Sequence, residues 1–110
     1  MTIRSLQEPT FLILTSLAAR PQHGYGIMTD AEQISGGHVR LRAGTLYAAL
    51  DRLCTDGLIE VDREEVVDGR LRRYYRITDD GTRRLTAAVV RQRATAAVAA
   101  QRLGLAGGTA

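Results

Sequence analysis

The sequence predicts a mainly α chain with a small β component, and three features carry that prediction. Leu46, Leu50 and Leu53 recur at i, i+4 and i+7, which lines one buried face of a helix. An Asp-Gly pair, Asp68–Gly69, separates two runs of strand-forming residues, as in a hairpin. The stretch from Thr78 to Leu103 is rich in alanine and carries an apolar stripe at helical spacing, which predicts one long C-terminal helix.

The first helix starts near Pro9, because proline suits the first helical turn. It turns Phe11, Leu14, Leu17 and Ala18 inward and stops at Arg20–Pro21. "PQHGYG" follows as a turn. A second helix runs from about Tyr25 to Ile34, with Ile27, Ala31 and Ile34 on its inner face, and "SGG" ends it. "HVRL" (38–41) suits a short strand. A third helix spans Ala43 to Asp56, with Gly57 as its C-terminal cap.

The hairpin pairs Leu58–Val66 with Leu71–Ile77. A plain two-residue loop would place Ile59 and Val61 on the face opposite Tyr75 and Ile77. A loop of odd length or a bulge restores one apolar face. The restored register pairs Ile59 with Ile77, Glu60 with Arg76 and Val61 with Tyr75, and implies a longer, mobile tip near Arg70 and Arg72. Tyr75 then packs inward with Val61 and Tyr74 faces out. In the last helix Thr78 is the N-cap, and Asp79 and Asp80 suit the positive end of the dipole. Leu85, Val89, Ala96 and Leu103 form its stripe, thickened by Val98 and Ala99. That stripe is too thin for a core and too apolar for water. It predicts packing against a second copy of the helix, the alternative being a fold back onto its own domain.

With 110 residues, 45% hydrophobic and 25% charged, the chain fits one compact domain. Its longest apolar cluster, "FLIL", is far short of the roughly 20 residues of a membrane span. "MTIRSLQEPT" lacks the pattern of a secretory signal, so a cytoplasmic address is expected. Cys54 is the single cysteine and reads as a small core filler. All 15 basic residues are arginine. Residues 1–39 carry Arg4 and Arg20 against Glu8, Asp30 and Glu32, a net −1, whereas residues 69–110 carry nine arginines against Asp79 and Asp80, a net +7. A basic second half points to a polyanionic partner.

Helix, helix, helix, hairpin and long helix is the order of a winged helix-turn-helix with a C-terminal dimerisation helix. In that design the third helix enters the DNA major groove and the wing reaches the flanking backbone. The exposed stripe of the third helix, Thr45, Ala48 and Arg52, is small enough to approach base edges and ends in a side chain that reaches a guanine or a phosphate. Arginines of the wing suit phosphate contact. The competing reading is a solvated edge balanced by Glu60, Glu64 and Glu65.

Three blocks carry a family resemblance: "HGYGIM" (23–28), "SGGHVRLRAGTLYAALDRLCTDGLIE" (35–60) and "GRLRRYYRITDDG" (69–81). In this order and spacing the sequence resembles the PadR family of transcriptional regulators over roughly residues 10–85. It departs from the family's "PGTLYP" at Ala43 and Ala48. The first change loosens the start of the helix, and the second alters the surface offered to DNA. The resemblance implies a homodimeric, ligand-responsive DNA-binding protein, most often a repressor, for which a small-molecule effector is the expected ligand. A two-fold dimer would read an inverted-repeat operator in double-stranded DNA. Family members that bind planar aromatic drugs use a tryptophan in the dimerisation helix, and this chain has none.

The candidate DNA-binding set is Tyr25, Arg42, Gly44, Thr45, Tyr47, Ala48, Arg52, Arg70 and Arg72; Tyr25, Gly44, Thr45 and Tyr47 come from the motifs of the resemblance. For Tyr25 and Tyr47 the plain alternative is a ring packed on the core with its hydroxyl at the surface. The candidate dimer interface is Leu85, Val89, Ala96 and Leu103. Residues 1–78 form the DNA-binding unit, 79–104 the dimerisation helix and 105–110 a flexible tail. No cofactor is implied. His23 and His38 are too far apart and too poorly accompanied for a metal site, and no nucleophile–base pattern suggests an enzyme. The rival to a DNA reader is a winged-helix module for protein–protein contact. It is disfavoured because such a surface shows apolar anchors.

Overall fold

The computed structural model of the chain describes residues 6–105. The order is α1 (Glu8–Ala19), β1 (Gln22–His23), α2 (Gly24–Ile34), α3 (Ala43–Thr55), β2 (Ile59–Val67), β3 (Arg70–Ile77) and α4 (Asp79–Arg102). The strands form one antiparallel sheet in the order β1-β3-β2. This is the winged-helix architecture, mainly helical with a small sheet.

Local chemistry sets the helix ends. Pro9 lies in the first turn of α1, and Arg20, forced extended by Pro21, ends it. After α3, Gly57 takes a positive φ of 75°; its N–H reaches the Cys54 carbonyl at 3.1 Å and the Leu58 N–H the Leu53 carbonyl at 3.0 Å. Those two bonds make a Schellman stop, sealed by contact between the buried Leu53 and Leu58. Thr78 caps α4 by accepting from the Gly81 N–H at 3.0 Å.

The core gathers Ile13, Leu14, Ile27, Leu46, Leu50, Leu53 and Ile59, all fully buried, with Tyr75 closing it from the sheet. Leu12, Ile13, Leu14 and Leu17 of α1 are buried, while Ala18 is exposed and Phe11 only half-buried. The one-face reading of this helix is therefore corrected: α1 touches α2, α3, α4 and β3, so it has no single inner face. In α2, Ile27 and Ala31 are buried but Ile34 is 42% exposed, because the helix ends beyond the core. Gln22 ties α1 to α2 by donating to the Ser16 hydroxyl at 2.8 Å and the Asp30 carboxylate at 3.3 Å.

"HVRL" is not a strand; Leu41 alone of it is buried. The third strand is instead Gln22–His23, inside the expected turn, where it pairs with Tyr75 and Tyr74. Ile59 pairs with Ile77, Glu60 with Arg76 and Val61 with Tyr75, as the apolar face required. The device is a bulge between Val61 and Arg63, and not a longer tip. Val67 pairs with Arg70 across a two-residue turn in which Asp68 and Gly69 both have positive φ, 52° and 75°. That is the primed turn an Asp-Gly pair favours. Val61 itself remains exposed on the edge strand, so Tyr75 packs inward without it. Among the described residues no helix is long and apolar enough to cross a membrane. Apart from Leu105, the expected tail lies outside the described residues.

Candidate nucleic-acid interface

Burial of Leu46, Ala49, Leu50 and Leu53 decides which side of α3 is free. Gly44, Thr45, Tyr47, Ala48, Asp51 and Arg52 are exposed on the other side. Arg42 occupies the N-cap position, exposed and with no side-chain capping bond. The surface is low along Gly44, Thr45 and Ala48, whose side chains are a hydrogen, a small hydroxyl-bearing group and a methyl.

Beside α3 stands the N-terminus of α2. His23 caps it: the Nδ1 atom accepts from the Gly26 N–H at 3.3 Å. The capped turn presents Tyr25, 73% exposed. Tyr47 leans from α3 onto Gly24, where only a hydrogen leaves it room. Burial, reinforced by the Arg72 charge, lowers the His23 pKa from its ordinary value, with Glu65 opposing. The neutral ring that the cap needs is thereby favoured.

The wing supplies charge. Arg73 pairs with Glu64 at 2.9 Å and Arg76 with Glu60 at 2.8 Å, each straight across the ladder. Arg63 pairs with Glu65 and Asp62. The balanced-edge reading therefore holds for those arginines. Arg70 and Arg72 form no ion pair among the described residues. Tyr74 does not simply face out: the Arg63 guanidinium sits 3.8 Å from its ring centroid, and His23 meets it edge-on at 5.3 Å. Burial raises the pKa of Tyr75 and of Cys54, so the Cys54 thiol stays protonated beside the core.

An open cleft of about 750 Å³ lies between these parts. It brings together Tyr25, Tyr47, Arg70 and Arg72 of the candidate set, with His23, Gly24, Asp51 and Arg73. Gly44, Thr45 and Ala48 stand on the adjoining exposed face of α3. Arg52 is placed apart from the cleft. It lines a smaller cavity with Gln7, Asp56 and Arg84, on the far flank of the helix. Reading the sequence missed His23, Gly24 and Asp51. The position of His23 just before a helix start was the available signal for the first; Asp51 gave none beyond its place one turn after Ala48.

The dimer candidates divide. Leu85 packs against the core of its own domain and Val89 is half-buried, whereas Ala96 and Leu103 are exposed. Val90, Val98 and Leu105 add exposed apolar surface along and just beyond α4. Among the described residues no group of three or more metal-ligating side chains converges.

A model of the transcriptional regulator PadR-like family matches residues 13–87, from the middle of α1 into α4. A transcriptional regulator of Mycobacterium tuberculosis is 42% identical over 74 residues, which is 67% of this chain. The chain spans 65% of that relative's length. A PadR family transcription regulator of Clostridium difficile superposes with a TM-score of 0.72 at 28% identity, over 88% of this chain and 99% of that one. Bacillus subtilis PadR, solved in complex with operator DNA, shares the fold at a TM-score of 0.69 and 21% identity, over 76% of this chain and 49% of its own. The matched segment contains the whole of α2, α3 and the wing, and with them every residue of the cleft: this chain belongs to the PadR-like family of transcriptional regulators.

Proposed function

We propose that the protein is a sequence-specific repressor that binds an inverted-repeat operator as a two-fold homodimer. One observation carries the reading: Tyr25, Tyr47, Arg70 and Arg72, remote in sequence, converge on one cleft beside the low face of α3. Gly44, Thr45 and Ala48 let α3 enter the major groove, with Arg42 at its leading end. Tyr25 and Tyr47 offer hydroxyls to one strand's phosphates. Arg70 and Arg72, free of carboxylates, take the flanking backbone. Arg52 reaches the phosphates bordering the other side of the groove.

Residues 1–78 are the reading unit and 79–104 the dimerisation helix. The exposed Ala96 and Leu103 support a second copy of α4 as the partner, and Leu85 and Val89 anchor the helix to its own body. Release by a small-molecule effector rests on the family resemblance. The working compartment is the cytoplasm, where the operator is. Anisotropy titrations on the DNA upstream of the gene, against a scrambled duplex at two salt concentrations, test the proposal. Preference for the native duplex and a steep loss of affinity with salt are expected. A monomer at micromolar concentration with no such preference overturns it.

A further inference from the structure

The helix placed in the groove carries only two charges, and they do different things. Arg52 lies on the flank away from the cleft. Asp51 lines the cleft itself, one turn after Ala48, together with Tyr47 and, from the wing, Arg72. A carboxylate there repels phosphate, so it subtracts from general DNA affinity. A structural role would explain it if it were paired. It is exposed and makes no hydrogen bond or ion pair with any described residue, although Arg73 in the same cleft is held by Glu64.

We propose that Asp51 is a specificity-determining residue that selects a cytosine in each half-site. This rests on the operator-binding reading above. An ionised carboxylate only accepts hydrogen bonds. Guanine offers it O6 and N7 and thymine offers O4, all acceptors, and those are rejected. Adenine has one amino donor, but its N7 acceptor lies beside it. Cytosine presents its N4 amino group alone, so it is the base an aspartate favours. The small residues preceding Asp51 let the helix settle deep enough for a side chain this short to touch a base edge. Repulsion from the backbone then works in favour of discrimination: it weakens every site, and only a cytosine at the right position restores the loss.

The test is selection from a random duplex library with the full chain as wild type, Asp51→Asn and Asp51→Ala, followed by titration of single-base operator variants. Asp51 is exposed, so both variants keep the fold, which thermal melting verifies. The wild type enriches cytosine at one symmetric position, and changing that base weakens binding roughly 5- to 100-fold. Asp51→Asn shifts that position toward adenine, which asparagine contacts at N6 and N7. Asp51→Ala loses the preference and binds scrambled DNA more tightly than the wild type. If all three proteins enrich the same bases and differ only by a uniform factor, Asp51 does not read sequence and the assignment is overturned alone. A wild type that enriches no motif overturns the operator reading and this assignment together.

Discussion

The phenol of Tyr47 lies against Gly24, so close that a methyl group at position 24 would stand 2.5 Å from its hydroxyl oxygen and 2.9 Å from Cζ. The contact joins the first residue of α2 to the first turns of α3. It also fixes the direction in which Tyr47 points across the cleft.

Gly24→Ala therefore moves Tyr47 without breaking the core. The obstructed atoms belong to the end of a side chain that is half exposed and free to swing. Operator affinity should fall about tenfold, the worth of one lost hydrogen bond to a charged group. The thermal midpoint should stay near that of the wild type, since alanine also favours the helix. Equal affinity in the variant would show that the orientation of Tyr47 does not matter for binding.

Protonation of His23 should destabilise the fold. The cap uses Nδ1 as acceptor, and the cation has none to offer. Its pKa in the folded chain lies below the roughly 6.5 of an unfolded histidine. Between those two values the unfolded chain binds more protons, so stability rises with pH. The contribution is complete above about pH 6.5 and is lost as pH falls through the lower, folded value. Urea midpoints across that window should slope for the wild type. In His23→Asn, which can cap without titrating, the slope from this group should vanish.

With Leu85 and Ala88 further along the helix, Gly81 is one of the places where α4 touches the rest of the body. A Cβ there would collide with the Leu58 carbonyl oxygen, which already accepts from the Thr78 N–H at 3.0 Å, and with Ile77. Backbone cannot step aside as Tyr47 can. Gly81→Ala should cost about 3 kcal/mol in denaturant titration, the upper range for overpacking. Thr82→Ala, at an exposed position, should be nearly neutral.

Salt dependence separates the wing arginines. Arg70→Ala and Arg72→Ala should each reduce the slope of log affinity against log salt by about 1. Arg76→Ala should leave it unchanged, because Glu60 already engages that guanidinium at 2.8 Å. Equal changes for all three would argue for a diffuse field in place of individual phosphate contacts.

Ending the chain after Arg93 keeps Leu85 and Ala88 on the core but removes the exposed distal part of α4, residues 94–102. Sedimentation should show a folded monomer with much weaker operator binding. A stable dimer of that fragment would place the interface elsewhere.

Much of the architecture is legible in the sequence. Helix periodicity and capping act over a few residues, so α2, α3 and α4 start or stop within a residue or two of where Thr78, Gly57 and the leucine spacing put them. The demand for one apolar face fixed the hairpin pairs near the body through Ile59 and Ile77. Distant partners decided the rest. Gln22–His23 becomes a strand because the edge of β3 is there to receive it, and two residues have no period to read. Whether the extra residue sits in a bulge or at the tip depends on the twist of both strands. Tyr74 is held by Arg63 and His23, which arrive from separate strands. The gathering of Tyr25, Tyr47, Asp51 and Arg72 on one cleft, and the exile of Arg52 to the other flank, follow from how α3 is rotated on its core. Chain-local forces choose the elements; only side chains meeting across long sequence distances set their rotation and pairing, and the cleft is made of those meetings.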